Sequence, residues 1–494
     1  MLNRLNIVLL YDDRATFIQT VREHLEAFKT HSRHRFWFLP ATGQVAGVDD
    51  LGAPPDFAMF DAVIVHYTVR LFLEDDISPA IAAAVAAYSG PKILFIQDEY
   101  DGVETTRRWI ARLGIDTVYT CVPLDQVEKV YPRSCFPAVT FVPTLTGYVP
   151  DLPDIEQFAQ PLEQRRILIG YRGRRLPHQY GALGQEKCRI GVEVKRLAEE
   201  RGLPVDIQVD DSRRIYGLDW YRFIGSCVAT LGTESGSNVF DIDGSLRRLS
   251  AEHATLDFDS FAERYIGERE GWVTMNQISP KIFEAIRLGT ALVLFEGRYS
   301  DVVQPERHFI PLRKDFSNIG EVFARLEDLP ALAAMTRRAY GDIVASGRYS
   351  YATFIAGIDV DLDRRAADGA RARIVAAPIL AIESGGRLAC VQPSTASAGV
   401  FNDAILLGAL TREHVQAVAA AGAWSGERVN GGPATPATVE QALIALRAEI
   451  AVLSARIARP FYTRMAADAW HLLPARIRYP LGSVVARAFR SSGS

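Results

Sequence analysis

Four segments concentrate the side chains that could hold or attack a polar ligand. The first is Gly170-Tyr171-Arg172-Gly173-Arg174-Arg175, which follows a short apolar run and precedes a helix bearing Lys187. Glycine lets backbone approach a ligand, and a helix N-terminus favours anions. Arginine offers a bidentate fork suited to phosphate. Arg172, Gly173, Arg174 and Lys187 are therefore candidate phosphate-binding residues, with a solvated basic turn as the plainer alternative. There is no G-x-G-x-x-G and no P-loop pattern.

The second segment runs Ser279-Pro280-Lys281-Ile282-Phe283-Glu284-Ala285-Ile286-Arg287-Leu288-Gly289-Thr290. Ser279 is a natural N-cap, Pro280 suits the first helical position, and Gly289 is a natural stop. Lys281, Glu284 and Arg287 share one helix face. They could form a solvated charge row, or Glu284 could accept from a ribose diol while the helix start meets phosphate. The third segment, Gly232-Thr233-Glu234-Ser235-Gly236, combines turn glycines with hydrogen-bonding groups. Glu234 there could bind sugar hydroxyls, or the segment could be an ordinary turn. The fourth pairs His66-Tyr67 with Gln97-Asp98-Glu99-Tyr100-Asp101, each after an apolar run. His66, Asp98 or Glu99 could act as a general base for a hydroxyl; acid clusters are also often merely solvated. The acids do not follow a divalent-metal pattern, so no metal is expected.

The elements that must position these residues are short. Apolar runs at Asn6–Tyr11, Phe36–Leu39, Ala62–His66, Lys92–Gln97, Asp116–Thr120 and Val139–Val142 read as strands. Helical spacing of Phe17, Val21, Leu25 and Phe28 falls between the first two. A Pro- and acid-rich stretch, 150–161, reads as a linker. A second series follows: strands at Arg166–Ile169, Val205–Val209, Val228–Leu231 and Ala291–Phe295, with helices at Gln185–Arg201 and from Pro280. Between Gly232 and Met275 lies a long irregular insertion. Short buried strands alternating with helices mean parallel sheets covered on both faces. The expected organisation is an α/β domain over 1–150, a second over 161–346, a connecting helix over 347–364, and a mostly helical extension over 365–494. Ligands in such sheets bind beyond the carboxyl ends of the strands, where the first, third and fourth segments fall.

Composition narrows the class. The 494 residues are 48% hydrophobic and 23% charged, ordinary for a globular protein of two or three domains. A net charge of -4 gives no general pull toward nucleic acid. Five scattered cysteines without a C-x-x-C pair argue against a disulfide framework or zinc site and fit a reducing, cytoplasmic compartment.

Ser279–Thr290, followed by Leu292–Glu296, resembles the "FEA-x-x-x-G" signature of the GT-B glycosyltransferases grouped with family 4 and the CgeB-like proteins. Arg307-His308-Phe309-Ile310-Pro311-Leu312 and Lys314-Asp315-Phe316-Ser317 resemble the "H-Y-I-P-L…D-F" stretch of CgeB-like proteins. Trp220-Tyr221, Gly232–Gly236 and Phe95–Tyr100 look like a bacterial polysaccharide-biosynthesis branch. The resemblance spans roughly residues 1 to 362. It implies a GT-B fold, two Rossmann-like domains facing a cleft, with a nucleotide-sugar donor in the second and a glycan or lipid-linked acceptor in the first. It also implies that Arg172 or Arg174, with Lys187, grips the diphosphate, and that Glu284 contacts the donor ribose. The family's E-x7-E pair would place its first Glu at position 276, where this chain has Asn276; Glu234 lies in the loop where that Glu would fall. Such enzymes need no bound metal, because cationic side chains and a helix N-terminus neutralise the leaving diphosphate.

The tail lies outside the resemblance. From Arg456 onward it has seven arginines and one acid, Asp468, among aromatic and aliphatic residues. Residues 456–494 are suited to an anionic membrane surface, which would place the protein at the inner face of the membrane. Equally, the aromatics could pack on the body or mediate a homo-oligomer. The rival reading from another class is a catalytically silent GT-B protein that binds a nucleotide or glycan as a scaffold.

Overall fold

Runs of β-branched and aromatic residues become the strands of two parallel sheets. The structure, a computed structural model, describes residues 4–42, 57–73, 76–368, 379–383 and 387–391. The first sheet contains β1 (Asn6–Tyr11), β2 (Arg35–Pro40), β3 (Ala62–Val65), β4 (Lys92–Phe95), β5 (Thr117–Thr120) and β6 (Thr140–Pro143). Their order is β2-β1-β3-β4-β5-β6, all parallel. The intervening helices are α1 (Gln19–His31), α2 (Pro79–Ala87), α3 (Val103–Leu113) and the single turn α4 (Val127–Val130). Val21, Leu25 and Phe28 stripe α1 at helical spacing, and all three are buried with Ile7, Leu9 and Phe38 of the sheet.

The second sheet is built from β7 (Ile167–Arg172), β8 (Val205–Gln208), β9 (Cys227–Gly232), β10 (Ala291–Phe295) and β11 (Ile310–Leu312). Its order is β11-β10-β9-β7-β8, again all parallel. Helices α5 (Gly181–Glu199), α6 (Leu218–Gly225), α7 (Ser245–Glu252), α8 (Phe258–Phe261), α9 (Pro280–Arg287), α10 (Ile319–Glu327) and α11 (Leu329–Ala339) accompany it. Then α12 (Tyr351–Asp368) returns to the first domain, burying Tyr351, Ile355, Ile358 and Leu362 in the core beside Phe28. Two Rossmann-like parallel sheets with a returning helix make the GT-B architecture that the sequence led us to expect.

One difference lies beyond α12. There the described residues form an antiparallel hairpin, β12 (Ile379–Glu383) with β13 (Arg387–Val391), rather than helix. Apolar runs on either side of Ser384-Gly385-Gly386 carry the glycine signal of a hairpin. The basic tail 456–494 lies outside the described residues.

Insertion residues bind the first domain directly. Asp241 N–H donates to the Tyr100 carbonyl (2.8 Å), while Val103 and Glu104 N–H groups donate to the carbonyls of Asp241 (3.1 Å) and Ile242 (2.8 Å). Asp101, at the same corner, accepts from Tyr180 Oη at 3.0 Å and Gln179 Nε2 at 3.4 Å.

Candidate functional site

The strand β7 runs on through Gly170 and Tyr171 to Arg172, residues that read as a turn in sequence. Gly170 is there for close approach: a Cβ would stand 2.2 Å from Cys227 Sγ on the neighbouring strand. The strand therefore delivers Arg172 to its own carboxyl end. The Arg172 guanidinium meets Asp206 at 2.8 Å, donates to the carbonyls of Tyr171 and Asp206, and lies 4.1 Å from the centre of the Phe223 ring. It braces the second sheet. Its own carbonyl accepts from Lys281 Nζ at 2.7 Å. Gly173 next to it has no room for a Cβ, which would sit 2.8 Å from the Lys187 carbonyl oxygen.

Helix α5 starts at Gly181, four residues earlier than expected, so Lys187 lies on its second turn and not its first. Lys187 is half-buried, and its pKa falls to about 8 through burial, helped by Arg174 and Lys281 and opposed by Asp98. Lys281, at the start of α9, also falls to about 8. The residue as a whole is exposed; desolvation lowers its pKa most, Glu284 opposes the fall, and Arg214, Arg174 and Arg172 add repulsion. Lys187, Lys281 and exposed Arg174 thus form one cationic cluster at the carboxyl ends of the second sheet, facing Asp98 of the first.

Behind Lys281 stand Trp220 and Glu284. The Trp220 ring centre lies 5.0 Å from Lys281 Nζ, and Trp220 Nε1 donates to Glu284 Oε2 at 2.6 Å. Glu284 is buried; desolvation raises its pKa, while the Trp220 bond and Lys281 pull it down. Ser279 occupies the N-cap position of α9, but its hydroxyl makes no capping bond. The expected serine cap is absent there, and the hydroxyl stands at the helix entrance.

Gly232 ends β9, and two residues on lies Glu234, buried at 3% exposure. Its carboxylate accepts from the N–H groups of Arg298 and Tyr299, each at 2.8 Å, and from Asn276 Nδ2 at 2.5 Å. Those bonds pin a turn in which Tyr299, Ser300 and Asp301 all have left-handed φ, 49° to 57°. Three successive non-glycine residues there cost free energy that their surroundings must offset, and Glu234 supplies part of it. Asn276 Oδ1 is buried without a protein partner.

The first domain divides its three candidates. Asp98 is exposed after β4, accepts from Tyr100 Oη at 2.7 Å, and acts electrostatically on Lys187. Glu99 is 1% exposed and accepts from Thr120 Oγ1, Tyr131 Oη and the N–H groups of Cys121 and Val122. Burial pushes its carboxyl up to about 7. Its geometry is that of an anchor for the loop after β5. His66 is wholly buried, with Nε2 2.9 Å from His24 Nδ1 and Nδ1 2.9 Å from Thr68 Oγ1. Desolvation lowers its pKa well below the usual histidine range. Among the three, Asp98 alone is exposed.

Sequence reasoning passed over Asp12-Asp13-Arg14, although that segment follows β1 by the same strand-end rule. There Arg14 pairs with Asp12 and Asp76, and burial beside Asp12 raises Asp13 to about 6. It also missed Glu23, whose carboxylate accepts from Tyr221 Oη across the domain boundary at 2.7 Å. The spacing of α1 marked only its apolar face. His308, within the H-F-I-P-L stretch, hydrogen-bonds Asp342 at 2.9 Å and serves the second domain's own packing. Lys314 pairs with Glu186 at 2.6 Å.

Among the described residues no set of three His, Cys, Asp or Glu side chains could hold a metal ion, and no helix is long and apolar enough to cross a membrane.

No protein-family model matches the chain, and no curated protein matches it. Solved structures of similar architecture include an alpha-glucosyltransferase in complex with UDP and DNA, at 11% identity, covering 73% of this chain and 100% of that one, with a TM-score of 0.44. Sucrose-phosphate synthase from Thermosynechococcus elongatus gives 12% identity, 73% and 99% coverage, and a TM-score of 0.40. Anabaena HepE in complex with UDP and glucose gives 12%, 73%, 100% and 0.40.

Proposed function

We propose that this protein is a GT-B glycosyltransferase that moves a sugar from a nucleoside-diphosphate sugar to an acceptor hydroxyl. The observation that carries the reading is the cationic cluster of Lys187, Lys281 and Arg174 facing the exposed carboxylate of Asp98 across the two domains. Cations of lowered pKa at strand carboxyl ends, beside a helix start, suit a diphosphate whose charge grows as it leaves. A lone carboxylate opposite them suits activation of a hydroxyl.

The roles follow from position. Lys187, Lys281 and Arg174 hold the diphosphate, with Ser279 and the first turn of α9 beneath it. Glu284 Oε2 is taken by Trp220, which leaves Oε1 for a ribose hydroxyl. Glu234 and Asn276, hydrogen-bonded to each other, stand where the family's first Glu would fall, and Asn276 Oδ1 is available to the donor sugar. Gly173 and Gly232 let the chain run close, and Arg172 braces that wall. The bond from the anomeric carbon to the diphosphate oxygen breaks, and its electron pair leaves with the nucleoside diphosphate. The acceptor oxygen forms the new bond, and its proton passes to Asp98. The positive side chains supply the charge neutralisation that a metal would otherwise give. The acceptor is a growing glycan or lipid-linked sugar of a bacterial surface polysaccharide, made on the cytoplasmic side, with the basic tail at the membrane surface.

A thermal-shift screen against UDP-, GDP-, ADP-, dTDP- and CMP-linked compounds tests the donor half, since a ligand that binds only the folded state raises its melting point. Donor hydrolysis or transfer by the stabilising compound then separates an enzyme from a silent scaffold. If none of the compounds stabilises the protein, the reading fails.

A further inference from the structure

We infer that the insertion between β9 and α9 carries a second sugar-binding subsite, centred on Trp272, for a part of the acceptor glycan remote from the reacting hydroxyl. It rests on the glycosyl-transfer reading and adds a residue set that the donor and base assignments leave unused. Phe240, Ile242, Glu268, Arg269 and Trp272 line a hollow of about 250 Å³. Trp272 is 37% exposed there, a costly display for so large an apolar side chain.

The hollow is tied to the candidate base by a line of rings. Tyr100 Oη donates to Asp98; the Tyr100 and Phe240 rings lie 6.4 Å apart, and Phe240 and Trp272 6.0 Å apart, both edge to face. The hollow is also fixed. Lys129 Nζ from the first domain donates to the Trp272 carbonyl at 2.8 Å, Gly271 N–H donates to the Asn238 carbonyl, and Asp241 grips the Tyr100 backbone. So the insertion presents its aromatic surface at a set distance from Asp98.

The lining selects the occupant. A pyranose has an apolar face of C–H groups and a rim of hydroxyls. An exposed indole ring matches the face, and a carboxylate and a guanidinium beside it match the rim. A nucleotide would need more cation than Arg269 offers beside Glu268. A monosaccharide at Asp98 would not reach Trp272 through the width of two intervening rings, so the ligand is an oligosaccharide.

The test is a calorimetric titration of the full chain with maltotriose, cellotriose, chitotriose and glucose, for wild type, Trp272→Ala, Trp272→Phe and Glu268→Gln. Melting temperatures confirm folding, and hydrolysis of the stabilising nucleotide sugar is measured in parallel. The expected result is saturable binding of at least one trisaccharide by wild type, weakened about tenfold by Trp272→Ala, largely kept by Trp272→Phe, and reduced by Glu268→Gln. Donor hydrolysis should stay unchanged. Equal trisaccharide affinity in wild type and Trp272→Ala, or no trisaccharide binding by wild type, overturns the subsite. A wild type that neither hydrolyses nor transfers the donor sinks the transferase reading instead, because the titration needs no turnover.

Discussion

The Glu23 carboxylate on α1 accepts a 2.7 Å hydrogen bond from the Tyr221 hydroxyl on α6, joining the first domain to the second within electrostatic reach of Glu284. Both residues are buried. Glu284 lies close enough to raise the Glu23 pKa, so the contact between the domains and the setting of Glu284 are electrostatically linked.

Glu23 should make stability depend on pH. Burial raises its carboxyl from 4.5 to about 7, with Gln19 and Tyr221 opposing and Glu284 and Glu26 adding to it. The folded state therefore holds the proton more tightly than the unfolded one. The favourable contribution is complete below pH 4.5 and is lost as pH rises through 7, on the order of 3 kcal/mol. Glu23→Gln should remove that slope. Melting temperatures of wild type and variant from pH 5 to 8 should diverge, the wild type losing more on the alkaline side. Parallel curves would remove Glu23 as the source.

Lys187 and Lys281 should set nucleotide affinity together. Each is cationic below its pKa of about 8 and neutral above it. Affinity for a nucleoside diphosphate should hold to pH 7.5 and fall as pH rises toward 9. Lys187→Met should cost about 2 kcal/mol, roughly thirtyfold, and flatten part of the pH dependence. Arg172→Ala should act mainly on stability, because its guanidinium is spent on Asp206 and backbone carbonyls. Isothermal titration beside thermal melts separates the two effects; a thirtyfold loss in Arg172→Ala without destabilisation would reverse the assignment.

Asp98 and Glu99 are adjacent but should behave oppositely. Asp98→Asn should lower transfer about a hundredfold at unchanged donor affinity, the scale of a lost general base. Glu99→Gln should instead lower stability by about 1–3 kcal/mol, since four hydrogen bonds converge on its buried carboxylate. Steady-state kinetics with chemical denaturation of both variants decides it.

Glu234 should be needed for the left-handed turn at Tyr299–Asp301. Gly297→Ala would drive a Cβ to 2.6 Å from the Glu234 carboxylate and displace it. Both Gly297→Ala and Glu234→Gln should destabilise the fold by about 1–3 kcal/mol and weaken discrimination among donor sugars. Unchanged melting and unchanged donor preference in Gly297→Ala would show that the turn holds without Glu234.

The sheets were legible because parallel strands are apolar on both faces: Asn6–Tyr11 and Ala291–Phe295 appear in the structure with the bounds read from sequence. Elements were lost where glycine misled. Gly170 suggested a turn but is a strand residue packed on Cys227, and Gly181 and Gly184 concealed the start of α5 because glycine disfavours helix interiors. Helix α3 was overlooked after the acid cluster, although Val103, Thr106, Ile110 and Leu113 face the core at helical spacing. Of the candidate residues, Asp98 was marked by position, just after β4, whereas Lys187 and Lys281 lie on the helices α5 and α9. What local pattern could not carry was pairing across the domains. Glu23 and Tyr221 are 198 residues apart, and no periodicity links them.

The grip of Asp241 and Ile242 on the Tyr100–Glu104 backbone bears on timing. Three hydrogen bonds there must break together for that edge to part, each worth about 0.5–1.5 kcal/mol net. If the protein transfers glycosyl groups as proposed, such a fastening would slow product exit more than bond-making. Turnover would then be paced by how often the insertion lets go, as in enzymes where opening sets the rate.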